Sequence, residues 1–351
     1  MPLPPETSRF WSQKSVFVTG ATGLVGGWLV SALAQQGAEV TALVRDGSPR
    51  SHFRLANTSG KINVVAGNFC DEQRLDRVIG KNSIHTIIHL GAQTVVGVAN
   101  ADPVSTLEVN ARGTWNLLDA ARRKGVHQTL IASTLLVSAT DTHPADGRGN
   151  KLGAAMLQHP YAVSKACMER IAIAFAHTYQ MRVGILRFGN IYGGGDLHFS
   201  RLIPGAIRST FQGDRFRFRT PGESQRDFLY VEDAVSAYLR FGERLATSDS
   251  LSQKQIGFGL GERLSLLNLV RLILKHSGRT DLEPMVGTSS TPEISEEATD
   301  INEASRLLDW HPEYSLDQGM QRTIKWFRNY FEIKLDDYRP RETRVPPNHG
   351  N

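Results

Sequence analysis

Lys14-Ser-Val-Phe-Val-Thr-Gly20-Ala-Thr-Gly23-Leu-Val-Gly26-Gly27-Trp-Leu-Val30 carries a β-rich run into a cluster of glycines and out into a helical pattern reaching about Gln36. Gly20 permits a tight turn, and Gly23 lets backbone N–H groups approach a pyrophosphate. Gly26 allows a helix to lie close on its strand, while the helix N-terminus favours an anion. The spacing Gly-x-x-Gly-x-x-Gly is one residue longer than the Gly-x-Gly-x-x-Gly of simple dehydrogenases. Strand, glycines and helix nevertheless follow in the order that a dinucleotide-binding turn requires. The plainer alternative is a turn-rich β–α junction with no ligand.

The runs that follow extend the pattern. Glu39-Val-Thr-Ala-Leu-Val-Arg45-Asp46 reads as a second strand ending beside an adenosine ribose. Val44 occupies the position where an acidic residue would accept from the 2′-hydroxyl. Arg45 follows it and Arg50 is near, so the reading leans towards a 2′-phosphate and NADP(H). Asp46 favours NAD if the strand runs longer. Ile62 to Asp71 is a third strand whose end brings Asn68 and Phe69 towards an adenine. Ile84 to Gln93 is a fourth, running into a small-residue loop; its His89 reads as a packed strand-end histidine. Gln128 to Thr134 is a fifth, ending in two hydroxyls. In an open parallel sheet the carboxyl ends face the ligand crevice, so Ser133 and Thr134 are expected over it.

Tyr161-Ala-Val-Ser-Lys165 supplies the chemistry. Positions four apart share one helix face, so a phenol and an ammonium can address one target. A nearby cation stabilises a phenolate and draws a tyrosine down from its ordinary value near ~10 towards acid/base duty. Alone, such a pair is a common feature of solvated helices. Behind a glycine turn and a hydroxyl-bearing fifth strand it is not.

Together these features resemble the extended short-chain dehydrogenase/reductase family, the NAD(P)-dependent epimerases and dehydratases of nucleotide sugars. The resemblance runs from about residue 12 to residue 330. It includes Asp102-Pro103 with Asn110-Ala-Arg-Gly113, Arg187-Phe-Gly-Asn190-Ile-Tyr-Gly193, and Arg226-Asp227-Phe-Leu-Tyr230-Val-Glu-Asp233. It implies a Rossmann-type doubly wound parallel α/β sheet with a smaller, discontinuous C-terminal substrate lobe. It also implies catalytic roles for Thr134, Tyr161 and Lys165. NAD(P) would meet Gly20, Thr22, Gly23, Leu24, Val25, Gly26, Arg45, Asn68, Phe69, Leu90, Gly91, Ala92, Gln93 and Asn110, with Tyr161 and Lys165. A nucleotide-diphosphate sugar would meet Ser133, Leu135, Asn190, Arg217 and Arg226. No metal is expected. The helices around Thr106–Arg123 and Tyr161–Tyr179 resemble those that pair the family's subunits into a dimer through four helices.

Phe10-Trp11, Gly27-Trp28-Leu29, Gly193-Gly-Gly-Asp196 and Trp310-His311-Pro312 are similar to CDP-glucose 4,6-dehydratases. Val44-Arg45 is similar to GDP-mannose 4,6-dehydratases, which use NADP. One departure weighs more. Dehydratases place Asp or Glu, or Asp-Lys, after the strand-five hydroxyl, to take the C5 proton and protonate the departing O6. Here Leu135-Leu136 stands there, and leucine moves no proton. Loss of water needs that acid/base pair, whereas epimerisation at C4 needs only the tyrosine, an orienting hydroxyl and the nicotinamide. The expected activity is therefore a 4-epimerase. A 4,6-dehydratase with relocated groups (His159 and His143 the candidates, with Asp141, Asp146 and His198 in reach), a keto-sugar reductase and an NADP(H) sensor remain alternatives.

The 351 residues suit one α/β unit plus a smaller lobe. The expected division puts residues 1–190 and about 228–260 in the dinucleotide-binding part. Residues about 191–227 and 261–333 form the sugar-binding lobe, and 334–351 a flexible tail. Arg215-Phe-Arg217-Phe-Arg219 alternates strictly, predicting a strand with arginines on one face. Leu316, Met320, Ile324, Phe327 and Phe331 predict an amphipathic helix. The net charge of +5 concentrates where a diphosphate would bind, and no nucleic-acid motif accompanies it. Two cysteines, Cys70 and Cys167, fit free thiols in a reducing cytoplasm. No apolar run is long enough to span a membrane.

Overall fold

The structure, a computed structural model, describes residues 9–45, 52–55, 62–140, 159–218, 221–287 and 299–332. Asp46, Arg50, Asp141, His143, Asp146, Arg219 and the segment 334–351 lie outside the described residues.

Among the described residues seven parallel strands form one sheet in the order β10-β6-β5-β4-β1-β2-β3. In chain order they are β1 (Ser15–Thr19), β2 (Glu39–Val44), β3 (Ile62–Ala66), β4 (Thr86–His89), β5 (Gln128–Thr134), β6 (Arg182–Phe188) and β10 (Gln255–Phe258). Helices cover both faces, so the central strands carry near-continuous apolar runs rather than alternation. Val16, Phe17 and Val18 are fully buried, as are Ile87, Ile88, Leu130 and Ile131. The strand order reverses between β1 and β4, which opens the crevice of a doubly wound sheet at their carboxyl ends. This is the Rossmann-type α/β architecture the motifs implied. The second strand stops at Val44, so Arg45 is its first loop residue.

The helices bearing on the site are α1 (Leu24–Gln35), α4 (Val96–Ala101), α5 (Pro103–Leu107), α6 (Gly113–Arg123) and α7 (Pro160–Tyr179). Between them lie a short helical turn, α2 (His52–Leu55), and α3 (Glu72–Lys81). Asp102 to Leu118 is divided among three helical pieces: α5, a π-turn over Glu108–Arg112, and α6. Asp102 caps the first piece by accepting from Ser105 N at 3.0 Å.

A second core gathers Tyr192, Ile207, Phe228, Tyr230, Leu269, Ile273, Met320, Ile324 and Phe327. It is built from β7 (Asn190–Tyr192), α8 (Leu202–Gln212), β9 (Phe228–Tyr230), α10 (Leu266–Ser277) and α12 (Leu316–Glu332). The helix predicted from Leu316 onwards is α12, and Met320, Ile324 and Phe327 are its buried stripe. Between lie α9 (Val231–Thr247) and α11 (Asn302–Leu308), both against the main core. Trp28 of α1 donates to Gly194 O at 2.7 Å and stacks on His52, whose Nδ1 accepts from Trp326 of α12. That stack joins the two cores.

Arg215 to Phe218 corrects one expectation. Only Arg217 makes a β-bridge, to Met285, flanked by bonds from Phe218 N and to Phe216 O. Phe216 and Phe218 turn inward and meet edge to face, while Arg215 and Arg217 are exposed. The alternation is real but spans one bridge, because Met285 is the only backbone paired with it among the described residues.

Candidate active site

The β1–α1 turn is shaped for a dinucleotide. Gly20 sits at φ +71°, and a Cβ there would lie 2.7 Å from Gly91 N, so two loops touch backbone to backbone. A Cβ on Gly26 would overlap Gly20 O. Gly23 is the helix N-cap, and among the described residues no side chain caps the N–H groups behind it. An uncapped helix start beside a glycine turn fits a pyrophosphate, which supplies both acceptors and negative charge. Thr22, Leu24 and Val25 are half-buried along the same turn. Asn68 accepts from Cys70 N at 3.0 Å and is exposed. Phe69 lies edge-on to His89 at 5.0 Å and fills the space over Gly91 and Gly113. Leu90, Gly91, Ala92 and Gln93 line the crevice from β4, half-buried.

Asn110 locks that loop. Its Oδ1 accepts from Gln93 N at 2.8 Å, and its Nδ2 donates to Gln93 O at 2.9 Å and to Ser164 Oγ at 2.8 Å. It lies in the π-turn, the kind of local widening that re-aims a side chain at a working site. The sequence placed Asn110 at the site but gave no hint of Ser164, which also donates to Tyr161 O. His89 bridges Thr19 Oγ1 at 2.7 Å and Thr114 Oγ1 at 3.1 Å. Burial pushes its ring down to about 3, so it is a neutral packed histidine, as expected.

Tyr161, Lys165 and Glu169 follow at four-residue spacing on one face of α7. Thr134 ends β5 and is buried, its Oγ1 accepting from Leu136 N at 3.3 Å. Lys165 Nζ donates to Ala132 O at 2.9 Å. Burial drives the two groups apart: the Tyr161 phenol stands raised at about 12 and the Lys165 ammonium lowered at about 8. The sequence assigned the lowering of Tyr161 to Lys165. In the structure the cation acting on Tyr161 is Arg201, and it opposes the burial.

Arg201 was missed. It caps α8 from the second core, yet its Nη2 reaches Thr94 Oγ1 after β4 at 2.9 Å. Its Nη1 meets the buried Asp196 at 3.2 Å. No motif announces such a residue, because its role depends on how two distant segments meet.

Ser133 also departs from expectation. Adjacent strand residues face opposite sides, so Thr134 and Ser133 cannot share a target. Ser133 Oγ donates inward to the buried Glu169. Leu135 fills the space beside Gly189 and Gly257, at the carboxyl ends of β6 and β10. Asn190 Nδ2 donates to Asp227 O at 3.3 Å. Arg226, half-buried on β8 (Gln225–Arg226), pairs with β11 (Leu264–Ser265). Asp227 accepts from Leu260 N, Gly261 N and Thr299 N and so pins the loop beneath it. Arg217 is exposed, and His159 caps α7 without a side-chain bond. Among the described residues no cluster of three His, Cys, Asp or Glu could hold a metal, and no helix is long and apolar enough to cross a membrane. Both cysteines are free.

A doubly wound sheet, an uncapped glycine turn at its switch point, and a tyrosine, lysine and threonine beside it define a dinucleotide-dependent enzyme. The profile of the NAD dependent epimerase/dehydratase family matches residues 16–257, and the chain belongs to that family. It is 28% identical to CDP-glucose 4,6-dehydratase of Salmonella typhimurium over 339 residues, covering 91% of this chain and 92% of that one. UDP-N-acetyl-alpha-D-glucosaminuronate decarboxylase of Bacillus cytotoxicus is also 28% identical, over 92% of this chain and all of its own length (100%). Among solved structures, UDP-glucose 4-epimerase of Thermotoga maritima with UDP-glucose has the same fold. Its TM-score is 0.77 at 21% identity, covering 90% of this chain and 99% of that one.

Proposed function

We propose that this enzyme is a nucleotide-sugar 4-epimerase that works through a 4-keto sugar. The observation that carries the proposal is Leu135-Leu136 directly behind Thr134, with Leu135 packed beside Gly189 and Gly257 where a dehydratase would need carboxylates. Bound NAD supplies the hydride chemistry at the sugar C4. Tyr161 takes the O4 proton as the alcohol becomes a ketone and returns it when the alcohol re-forms. Thr134 orients that hydroxyl by hydrogen bonding, and Lys165 would hold the nicotinamide ribose. Arg201 supplies the positive charge that favours the phenolate of Tyr161. Asn190, Arg226 and the exposed Arg217 receive the diphosphate, arginine forks suiting phosphate oxygens. The second core, carried by β7, α8, β9, α10 and α12, forms the sugar-nucleotide lobe, while α9 and α11 pack with the dinucleotide part.

The family is NAD dependent. Arg45, exposed at the end of β2, supports use of NADP(H) as well, and titration with NAD+ and NADP+ side by side decides between them. The enzyme pairs with a second copy. Val96, Val98, Val104, Leu107 and Trp115 are all exposed on α4, α5 and α6, an apolar face beside α7.

The test is incubation with CDP-, UDP-, GDP- and dTDP-hexoses without added reductant, followed by mass spectrometry and NMR. An isobaric product with inverted C4 supports the proposal. Loss of water or of carbon dioxide, or turnover only with added NADPH, overturns it.

A further inference from the structure

Beneath the site lies a charge that the proposed chemistry does not use. Glu169 is 2% exposed, one helical turn beyond Lys165. Its carboxylate takes a forked pair from Arg187, Nε to Oε1 at 2.9 Å and Nη2 to Oε2 at 2.6 Å, and the Ser133 hydroxyl as well. Arg187 is 5% exposed and also donates to Gln255 Oε1 at 2.9 Å. The parallel register sets Ser133 directly opposite Arg187 and Thr134 opposite Phe188. One carboxylate therefore grips the residue before Thr134 on β5 and the strand leading to Asn190 on β6. It does so from the helix that carries Tyr161 and Lys165.

We infer that Glu169, clamped by Arg187 and Ser133, is a positioning residue that fixes Tyr161 and Lys165 on α7 against Thr134 and Asn190 at the strand ends. A buried ion pair adds little net stability over apolar residues of the same shape, but it specifies one geometry when both forks are made. Acid/base catalysis depends on that geometry, since a small misplacement of a reacting group lowers rate steeply. The clamp has an electrostatic side too. The charged or titratable groups coupled to Lys165 are Glu169 on its own helix and the neutral His89 from β4, with Arg187 behind Glu169 on β6. Burial works against the ammonium, and Glu169 supports it.

The inference rests on the proposed roles of Tyr161, Thr134 and Lys165, so its test has an arm that needs no sugar. NAD+ affinity is measured by calorimetry from pH 6 to pH 10 in the wild type and in Glu169→Gln. The wild type should lose affinity as Lys165 deprotonates, and Glu169→Gln should lose it about one pH unit lower, because the supporting carboxylate is gone. Should Glu169→Gln not fold, the uncharged pair Glu169→Leu with Arg187→Met takes its place and shifts in the same direction. In the second arm Ser133→Ala, which removes one bond only, lowers kcat about tenfold with KM unchanged. A folded variant with the wild-type pH limb, or Ser133→Ala with the wild-type kcat, overturns the inference. If the wild type turns over no sugar nucleotide, the proposed function fails while the NAD+ arm still judges the clamp.

Discussion

At the scale of single residues, Tyr161 is held in tension. Burial raises its phenol to about 12, and Arg201, anchored by Asp196 and Thr94, pulls the other way. Tyr161→Phe removes the proposed acid/base for the sugar proton, and turnover should fall by about 10²–10⁴-fold with NAD+ binding retained. Arg201→Met is the subtler test. Removing a cation beside a phenol disfavours the phenolate, so the phenol rises further and less base is present at neutral pH. The pH–rate profile should therefore keep its shape while its acid limb moves upward. A profile that stays in place would show that Arg201 serves only the latch to Thr94. Arg201 was invisible in the sequence for a simple reason: an arginine among many in a basic stretch has no periodic or motif signal.

Elements tell where sequence reading succeeds. The β1–α1 turn was legible because everything it needs is local: Gly20 at positive φ, Gly26 against Gly20 O, and an uncapped helix start within seven residues. Gly26→Ala forces a methyl into that carbonyl; NAD+ affinity should fall at least about tenfold and stability by about 1–3 kcal/mol, as overpacked sites do. Calorimetry with NAD+ and a urea titration check the two effects separately. The end of β5 was half legible. Strand order placed both hydroxyls at the crevice edge, yet period-two alternation sends Ser133 inward to Glu169 and turns Thr134 to the other face. The π-turn at Asn110 was not legible. One extra residue in a helical turn is set by backbone bonds that residue types do not record, and it shows only in the backbone over Glu108–Arg112. The Arg215–Arg219 alternation failed differently, since a strand needs a partner and that segment finds a single bridge.

At the scale of the whole molecule, the apolar cluster that holds α9 and α11 meets the second core across a contact that is polar as well as apolar. Trp28, His52 and Trp326 form one side of it, Arg201 and Thr94 another. If the exposed face of α4–α6 meets a second copy, Val104→Glu, at a position 70% exposed, should yield a monomer by sedimentation with the fold intact. Stability should also carry the imprint of buried histidines. His89 sits between two threonines with its ring down at about 3, and His52, between two tryptophans, stands at about 4, both depressed chiefly by burial. An unfolded histidine binds its proton near ~6.5. Between that value and the folded one, the unfolded chain holds more protons, so stability is full above the unfolded value and is lost as pH falls. Asp233, raised by burial to about 6, has the opposite sign, which makes the wild-type curve a sum of both. His89→Gln isolates the larger part, since an amide can still meet Thr19 and Thr114 but does not titrate. Urea unfolding should then show the wild type losing about 2–3 kcal/mol more than His89→Gln between pH 7.5 and pH 4.5, with equal m-values. Equal losses in the two proteins would mean that the His89 ring gains water or a counter-charge as the pH falls.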